Sequence, residues 1–129
     1  MTPFSALLND LCHSRRILQK QLAHRLNVDP SYISALANGR KGTPSDAFLQ
    51  KLGASLELTE VEKQALERSI KVSRRKYHVP VNADPQFYEL AWNIFDVAEK
   101  LPKAKLKAIN EIVEQLKPES RVSQQKGGN

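Results

Sequence analysis

Side chains able to do covalent or metal chemistry are few and scattered in this chain. The histidines are His13, His24 and His78, and none is followed three or four residues later by a second metal ligand. Cys12 is the only cysteine, so neither a zinc site nor an internal disulfide is expected. Ser31 and Ser34 have no nearby histidine to activate them, and no phosphate-cradling glycine loop, nucleophile elbow or paired acidic motif occurs. These absences predict a protein that is not an enzyme and needs no cofactor. What remains is recognition chemistry. Pro30, Ser31, Ser34, Ala35 and Asn38 present short polar or methyl-bearing groups, and Arg40 and Lys41 follow closely. A hydroxyl can bond to several base edges, Ala or Pro can touch a thymine methyl, and Asn can pair with adenine. No arginine stands in that set to read guanine, so direct readout per site should be modest, leaving a larger share to DNA shape.

Such a surface needs elements to carry it, and residues 19–38 supply them. Leu22, Ala23 and Leu26 fall on one face of a short helix. Ala23 is small enough to let another helix cross close by. Asn27 tolerates the left-handed conformation that ends a helix. Val28 plugs the corner. Asp29 is a good N-cap and Pro30 a good first helical residue, so a second helix starts there. Ile33 and Leu36 point inward, which leaves Ser31, Tyr32, Ser34, Ala35 and Asn38 outward. This is the layout of a helix-turn-helix, whose second helix enters the major groove of DNA.

The stretch resembles the helix-turn-helix family of phage repressors and bacterial XRE-type regulators. The matching positions are Gln19, Ala23, Val28, Ile33 and Leu36, continuing through Gly39-Arg40 and Thr43-Pro44-Ser45 to Phe48, Leu49, Leu52 and Leu56. The resemblance covers roughly residues 4 to 70. It departs at Asn27, where the family usually has Gly, and at Pro30-Ser31, where many members carry a longer base-reading side chain. It implies double-stranded DNA as partner and a loop at Arg40-Lys41 lying near the DNA backbone. On that footing Gln19, Tyr32, Arg40 and Lys41 are expected phosphate contacts. Pro30, Ser31, Ser34, Ala35 and Asn38 are expected base contacts.

Charge is unevenly spread. The formal net charge is +6. Residues 1–80 hold thirteen Lys/Arg against seven Asp/Glu, which is +6, while residues 81–129 hold seven of each, which is zero. A basic half beside a neutral half is the footprint of a phosphate-facing module joined to an element with another task. Hydrophobic content of 40% supports a globular core. No apolar run approaches the ~20 residues needed to span a bilayer. The start, Met1-Thr2-Pro3-Phe4, lacks the basic and apolar regions of a signal peptide, and a cytoplasmic location is expected.

Taken in order, Thr2 and Pro3 open a helix to about Ser14, with Phe4, Leu7, Leu8 and Leu11 on its buried face. Arg15 and Arg16 suit the dipole at its end, or face phosphates. After the glycine-containing basic loop, Ser45 and Asp46 start a fourth helix, which Gly53 weakens by about 1 kcal/mol, so that the helix is expected to end early or to pack closely there. Thr59 to Glu62 is a capping box for a fifth helix with Val61, Ala65, Leu66 and Ile70 as apolar positions. Its basic end, residues 71–76, supports the helix C-terminus or adds a phosphate contact, the first being the preferred reading. Residues 77–83 read as a connector.

Asp84-Pro85 starts a very apolar helix to about Lys100, and Pro102 starts another to about Lys117. Leu106, Ile109, Val113 and Leu116 are spaced three, four and three apart, a heptad-like seam. A two-helix hairpin cannot hide faces this broad alone. It packs on the first domain, pairs with a second copy, or binds another protein. The reading is an all-α chain: a five-helix phage-repressor-like domain over residues 1–76, a connector, a helical hairpin over 84–117, and a disordered tail over 118–129. The hairpin is expected to make a homodimer through Phe87, Trp92, Phe95, Leu106, Ile109 and Val113. The expected function is a sequence-specific transcriptional regulator that represses at a palindromic operator. The alternative is an antitoxin or adaptor whose C-terminal helices bind another protein, with DNA binding used for autoregulation.

Overall fold

The computed structural model of the protein describes residues 1–118, so the expected tail lies outside the described residues apart from Pro118. The described residues form seven helices and no strand: α1 (Pro3–Ser14), α2 (Gln19–Leu26), α3 (Pro30–Ala37), α4 (Asp46–Leu56), α5 (Glu60–Val72), α6 (Pro85–Ala98) and α7 (Lys103–Gln115). The all-α expectation holds. The chain divides into two units, Met1–Tyr77 and a second beginning at His78.

In the first unit, local sequence chemistry starts the helices. The Thr2 hydroxyl accepts the Ser5 N–H and the Ser5 hydroxyl accepts the Thr2 N–H, closing a capping box on α1. Ser45 Oγ accepts the Phe48 N–H at the start of α4. Thr59 and Glu62 close the expected box on α5. α2 starts on less, because Leu18 has no side-chain acceptor; only the Gln21 side chain reaches back, accepting the Leu18 N–H at 2.8 Å. The apolar faces of all five helices meet in one core, including Phe4, Leu8, Leu22, Ile33, Leu36, Leu52 and Leu66. At about 25 cal/mol per Å2 of apolar surface removed from water, this burial is the main stabilising contribution.

Three expectations need correction. α5 does not turn Val61 or Ala65 inward: both are exposed, and its inner face is Leu66, Ser69, Ile70 and Ser73. Two of those positions are serines because they do polar work. Ser69 Oγ donates to the Leu66 carbonyl. Ser73 Oγ donates to the Ser69 carbonyl and accepts the Phe4 N–H at 2.9 Å, so it satisfies an N–H in the first turn of α1 from 69 positions away. Arg15 neither merely complements a dipole nor faces outward. Its Nε donates to the Leu56 carbonyl at 2.7 Å and its Nη2 meets Glu62 Oε1 at 2.6 Å, tying the end of α1 to the end of α4 and the start of α5. Gly53 does not cut α4 short: the helix runs on to Leu56, and a Cβ at Gly53 would meet Leu58 Cδ1 at 3.9 Å, an ordinary contact.

The second unit starts as expected, with the Asp84 carboxylate accepting the Gln86 N–H at 2.7 Å and Pro85 in the first helical position. α6 ends at Ala98 and α7 starts at Lys103, each a little inside the expected bounds; Pro102 stands just outside α7 as its N-cap, at φ −68 and ψ 159. Neither helix has a buried residue. Trp92 and Phe95 are 73% and 72% exposed.

Two outcomes follow from the polar contacts. Ser73→Ala leaves the Phe4 N–H buried without a partner and should cost about 1–3 kcal/mol, read as a lowered denaturation midpoint. The hydrogen bond from Arg15, and then that from the Thr59 N–H, hold the Glu62 carboxyl below its ordinary value. A depressed carboxylate stabilises the folded state above its unfolded pKa and loses that contribution as the pH falls. Denaturation midpoints measured from neutral to acid pH should therefore fall more steeply for the native protein than for Glu62→Gln.

Candidate nucleic-acid interface

The corner between α2 and α3 is built from backbone outward. Asn27 ends α2 at φ 57, ψ 48, the left-handed conformation expected of it. The Val28 N–H then bonds back to the Ala23 carbonyl at 3.0 Å, and Val28 packs partly buried on the core. Asp29 caps α3, its Oδ1 accepting both the Ser31 N–H at 2.8 Å and the Ser31 hydroxyl at 2.7 Å. Those two bonds, side chain first, lower the Asp29 pKa. Leu22, Ala23, Ile33 and Leu36 are all sealed from solvent, so α2 and α3 cross in close contact.

α3 leaves an outward strip. Pro30 and Ser31 are exposed, and Ser34, Ala35 and Asn38 are half-buried. Tyr32 faces out less than expected. It is half-buried, and its ring packs edge-on against Phe48 at 5.4 Å between centroids. Two of the polar groups already have work within the chain. The Ser31 hydroxyl serves the cap. Asn38 Oδ1 accepts the Arg40 N–H at 3.0 Å, which leaves the Asn38 amide N–H groups for a partner. Gln19 is exposed at the first position of α2.

The end of α3 is pinned from several directions. The Ala35 carbonyl accepts the Arg40 and Lys41 N–H groups. Asn9 Nδ2, from α1, donates to the Ala37 carbonyl at 2.7 Å. Arg75, just past α5, donates to the Gly39 carbonyl at 2.6 Å. Gly39 itself sits at φ +81 with Met1 Cα 3.1 Å from where a Cβ would be, so a side chain there is both strained and crowded. Arg40 is exposed; the Lys41 ammonium stands 5.9 Å from the Tyr32 ring centroid, close enough for a cation–π contact. Sequence reading missed the clamps by Asn9 and Arg75. Their partners lie 28 and 36 positions away, and no local pattern marks them.

This geometry defines a helix-turn-helix, and comparison with known proteins agrees. The helix-turn-helix family model matches residues 14–63, the stretch in which the sequence resembles the XRE-type regulators. An "Uncharacterized HTH-type transcriptional regulator RghRB" from Bacillus subtilis (strain 168) is 36% identical over 58 residues, 45% of this chain and 42% of the relative. The chain thus matches less than half the length of that relative. No solved structure gives a significant match. No helix among the described residues is long and apolar enough to cross a membrane, and no cluster of His, Cys, Asp and Glu among them could hold a metal ion.

The loop carries a direct test. Arg40→Ala and Lys41→Ala should each weaken binding to all duplex sequences about equally, and each should flatten the log–log dependence of affinity on salt by roughly 1. Affinity titrations across a salt series measure both.

Proposed function

We propose that the protein is a DNA-binding transcriptional regulator that represses by occupying a palindromic operator as a homodimer. The observation carrying this reading is the outer strip of α3: short polar and methyl groups, no acidic side chain, a rigid mounting, and the exposed Arg40 beside it. Its action is binding rather than catalysis. The match to a family and to a relative named as a transcriptional regulator supports the same reading.

In this proposal Ser34 and Ala35, at mid-helix, face the base edges, with Pro30 and Ser31 at the groove entrance. Asn38 contributes its donor groups, which suit guanine or thymine acceptors better than two-point pairing with adenine, because its Oδ1 is committed. Gln19, Tyr32, Arg40 and Lys41 hold the phosphates. The second copy is called for by the C-terminal unit. Phe87, Trp92, Phe95, Leu106 and Val113 are exposed and Ile109 only half-buried, and a monomer seldom carries an apolar stripe of that extent. Two recognition helices about 34 Å apart, one DNA turn, would then read two half-sites.

Ser34→Glu places a negative charge in the groove without touching the core. It should leave the helical circular dichroism intact and reduce operator affinity at least ~tenfold, the equivalent of a single good base contact. Unchanged affinity would remove α3 from the interface. A chain ending at Val79 should stay folded on its own core, sediment as a monomer and bind a palindromic site much more weakly than the full-length dimer. A full-length monomer would instead favour the adaptor reading, in which α6 and α7 bind a different protein.

A further inference from the structure

Three stretches of the first unit carry neither Asp nor Glu: residues 1–9, 30–45 and 68–77. The fold clips all three together. Ser73 Oγ accepts the Phe4 N–H at 2.9 Å, Asn9 Nδ2 donates to the Ala37 carbonyl at 2.7 Å, and Arg75 donates to the Gly39 carbonyl at 2.6 Å. The start of α1, the end of α3 with its loop and the exit from α5 therefore meet at one end of the unit. The carboxylates are engaged or stand elsewhere. Asp46, Glu57 and Glu67 border the groove between α4 and α5. Glu62 is held by Arg15, and Asp29 by the Ser31 hydroxyl. Glu60 opens α5, about 18 Å along the helix from its last residue. Asp10 follows Asn9 directly, but its side chain leaves α1 about 100° further round.

Three cations follow α5 at this end. Ser73 is the C-cap, so Arg74, Arg75 and Lys76 lie past the helix, and only Lys71 stands in its last turn. Arg75 serves the end of α3 and bonds to no carbonyl of α5. The Arg74 guanidinium lies over the Tyr77 ring, 4.8 Å from its centroid. A stacked guanidinium is held in place while its N–H edges stay open to a phosphate. Lys76 is exposed, and its ammonium takes no part in a hydrogen bond or ion pair among the described residues. Arg40 is one residue on from Gly39, and Lys76 is one residue on from Arg75, steps of ~3.8 Å each. The Arg40 and Lys76 backbones are thus separated by little more than the length of one arginine side chain.

We propose that the exit from α5 is a further phosphate-binding site of the DNA interface, made by Arg74 and Lys76 and continuous with Arg40. The inference rests on the DNA-binding reading above and extends its footprint beyond α3 and the loop after it. A duplex backbone is a closely spaced row of negative charges, so neighbouring cations on one surface can neutralise successive phosphates. A carboxylate among them would repel that row, and the three joined stretches contain none. Arg75 is the strut of this site: by holding Gly39 it fixes the distance between Arg40 and the two cations beside itself. Contacts of this kind position the protein on DNA and carry no base preference.

Titration of the full-length protein with a mixed-sequence DNA duplex over a salt series tests it. Lys76→Ala and Arg74→Ala should each flatten the log–log slope by roughly 1 and weaken binding roughly tenfold at ~0.1 M salt. Lys76→Arg should keep the slope of the unsubstituted protein. Lys63→Ala removes the same charge at the groove between α4 and α5 and should leave the slope unchanged. Circular dichroism checks that each variant keeps its helices. Equal effects of Lys63→Ala and Lys76→Ala would overturn the site in favour of net charge alone. A slope flattened by Arg40→Ala but by neither Lys76→Ala nor Arg74→Ala would overturn the site and leave the DNA-binding reading standing. An unsubstituted protein with no salt-dependent binding to duplex DNA would overturn both.

Discussion

The contact on which the N-terminal unit depends is the close crossing of α2 and α3 at Ala23. That residue is fully buried, and the chain reverses just beyond it through a single left-handed residue, Asn27. A larger side chain at the crossing would push α3 away from the core, and overpacking of this kind costs about 1–3 kcal/mol. The direction of α3 follows from this contact, and so does the set of residues it turns outward. Inward-facing Ile33 and Leu36 and outward-facing Ser34 and Ala35 are two consequences of one packing decision.

The basic residues of this unit divide into two kinds. Arg15 and Arg75 spend their guanidinium groups on main-chain carbonyls at the ends of helices, where unpaired acceptors would otherwise remain. Arg40 is left open, and Lys41 rests over Tyr32. Net charge alone would count all four as a phosphate-facing field. The structure separates cations that build the platform from those free to use it, and the first kind holds the second in place: Arg75 bonds to Gly39, the residue before Arg40.

The two units differ in how they meet the cost of folding. The first buries its own apolar faces in one core. The second consists of two helices with no buried residue, of which only α6 has a side-chain cap, so its apolar area contributes little until something covers it. Association would then couple stability to concentration, because whatever binds the folded form stabilises it.

Much was legible in the sequence because it is local. The caps at Thr2, Asp29, Ser45, Thr59 and Asp84 are each made by a side chain and an N–H two or three residues away. Asn27 supplies a backbone conformation by its own chemistry, and helical periodicity marks Ile33 and Leu36 as inward. Those signals determine the helices, the corner and the outer strip of α3. Tertiary packing decided what no short window contains. It put Ser69 and Ser73 inside in place of Val61 and Ala65, because α1 presents an N–H that needs an acceptor there. It turned Arg15 onto Leu56 and Glu62, set Tyr32 against Phe48, and clamped the end of α3 with Asn9 and Arg75. Each of these joins groups far apart in sequence, and a hydrogen bond or ring contact between distant residues exists only once the core has brought their helices together.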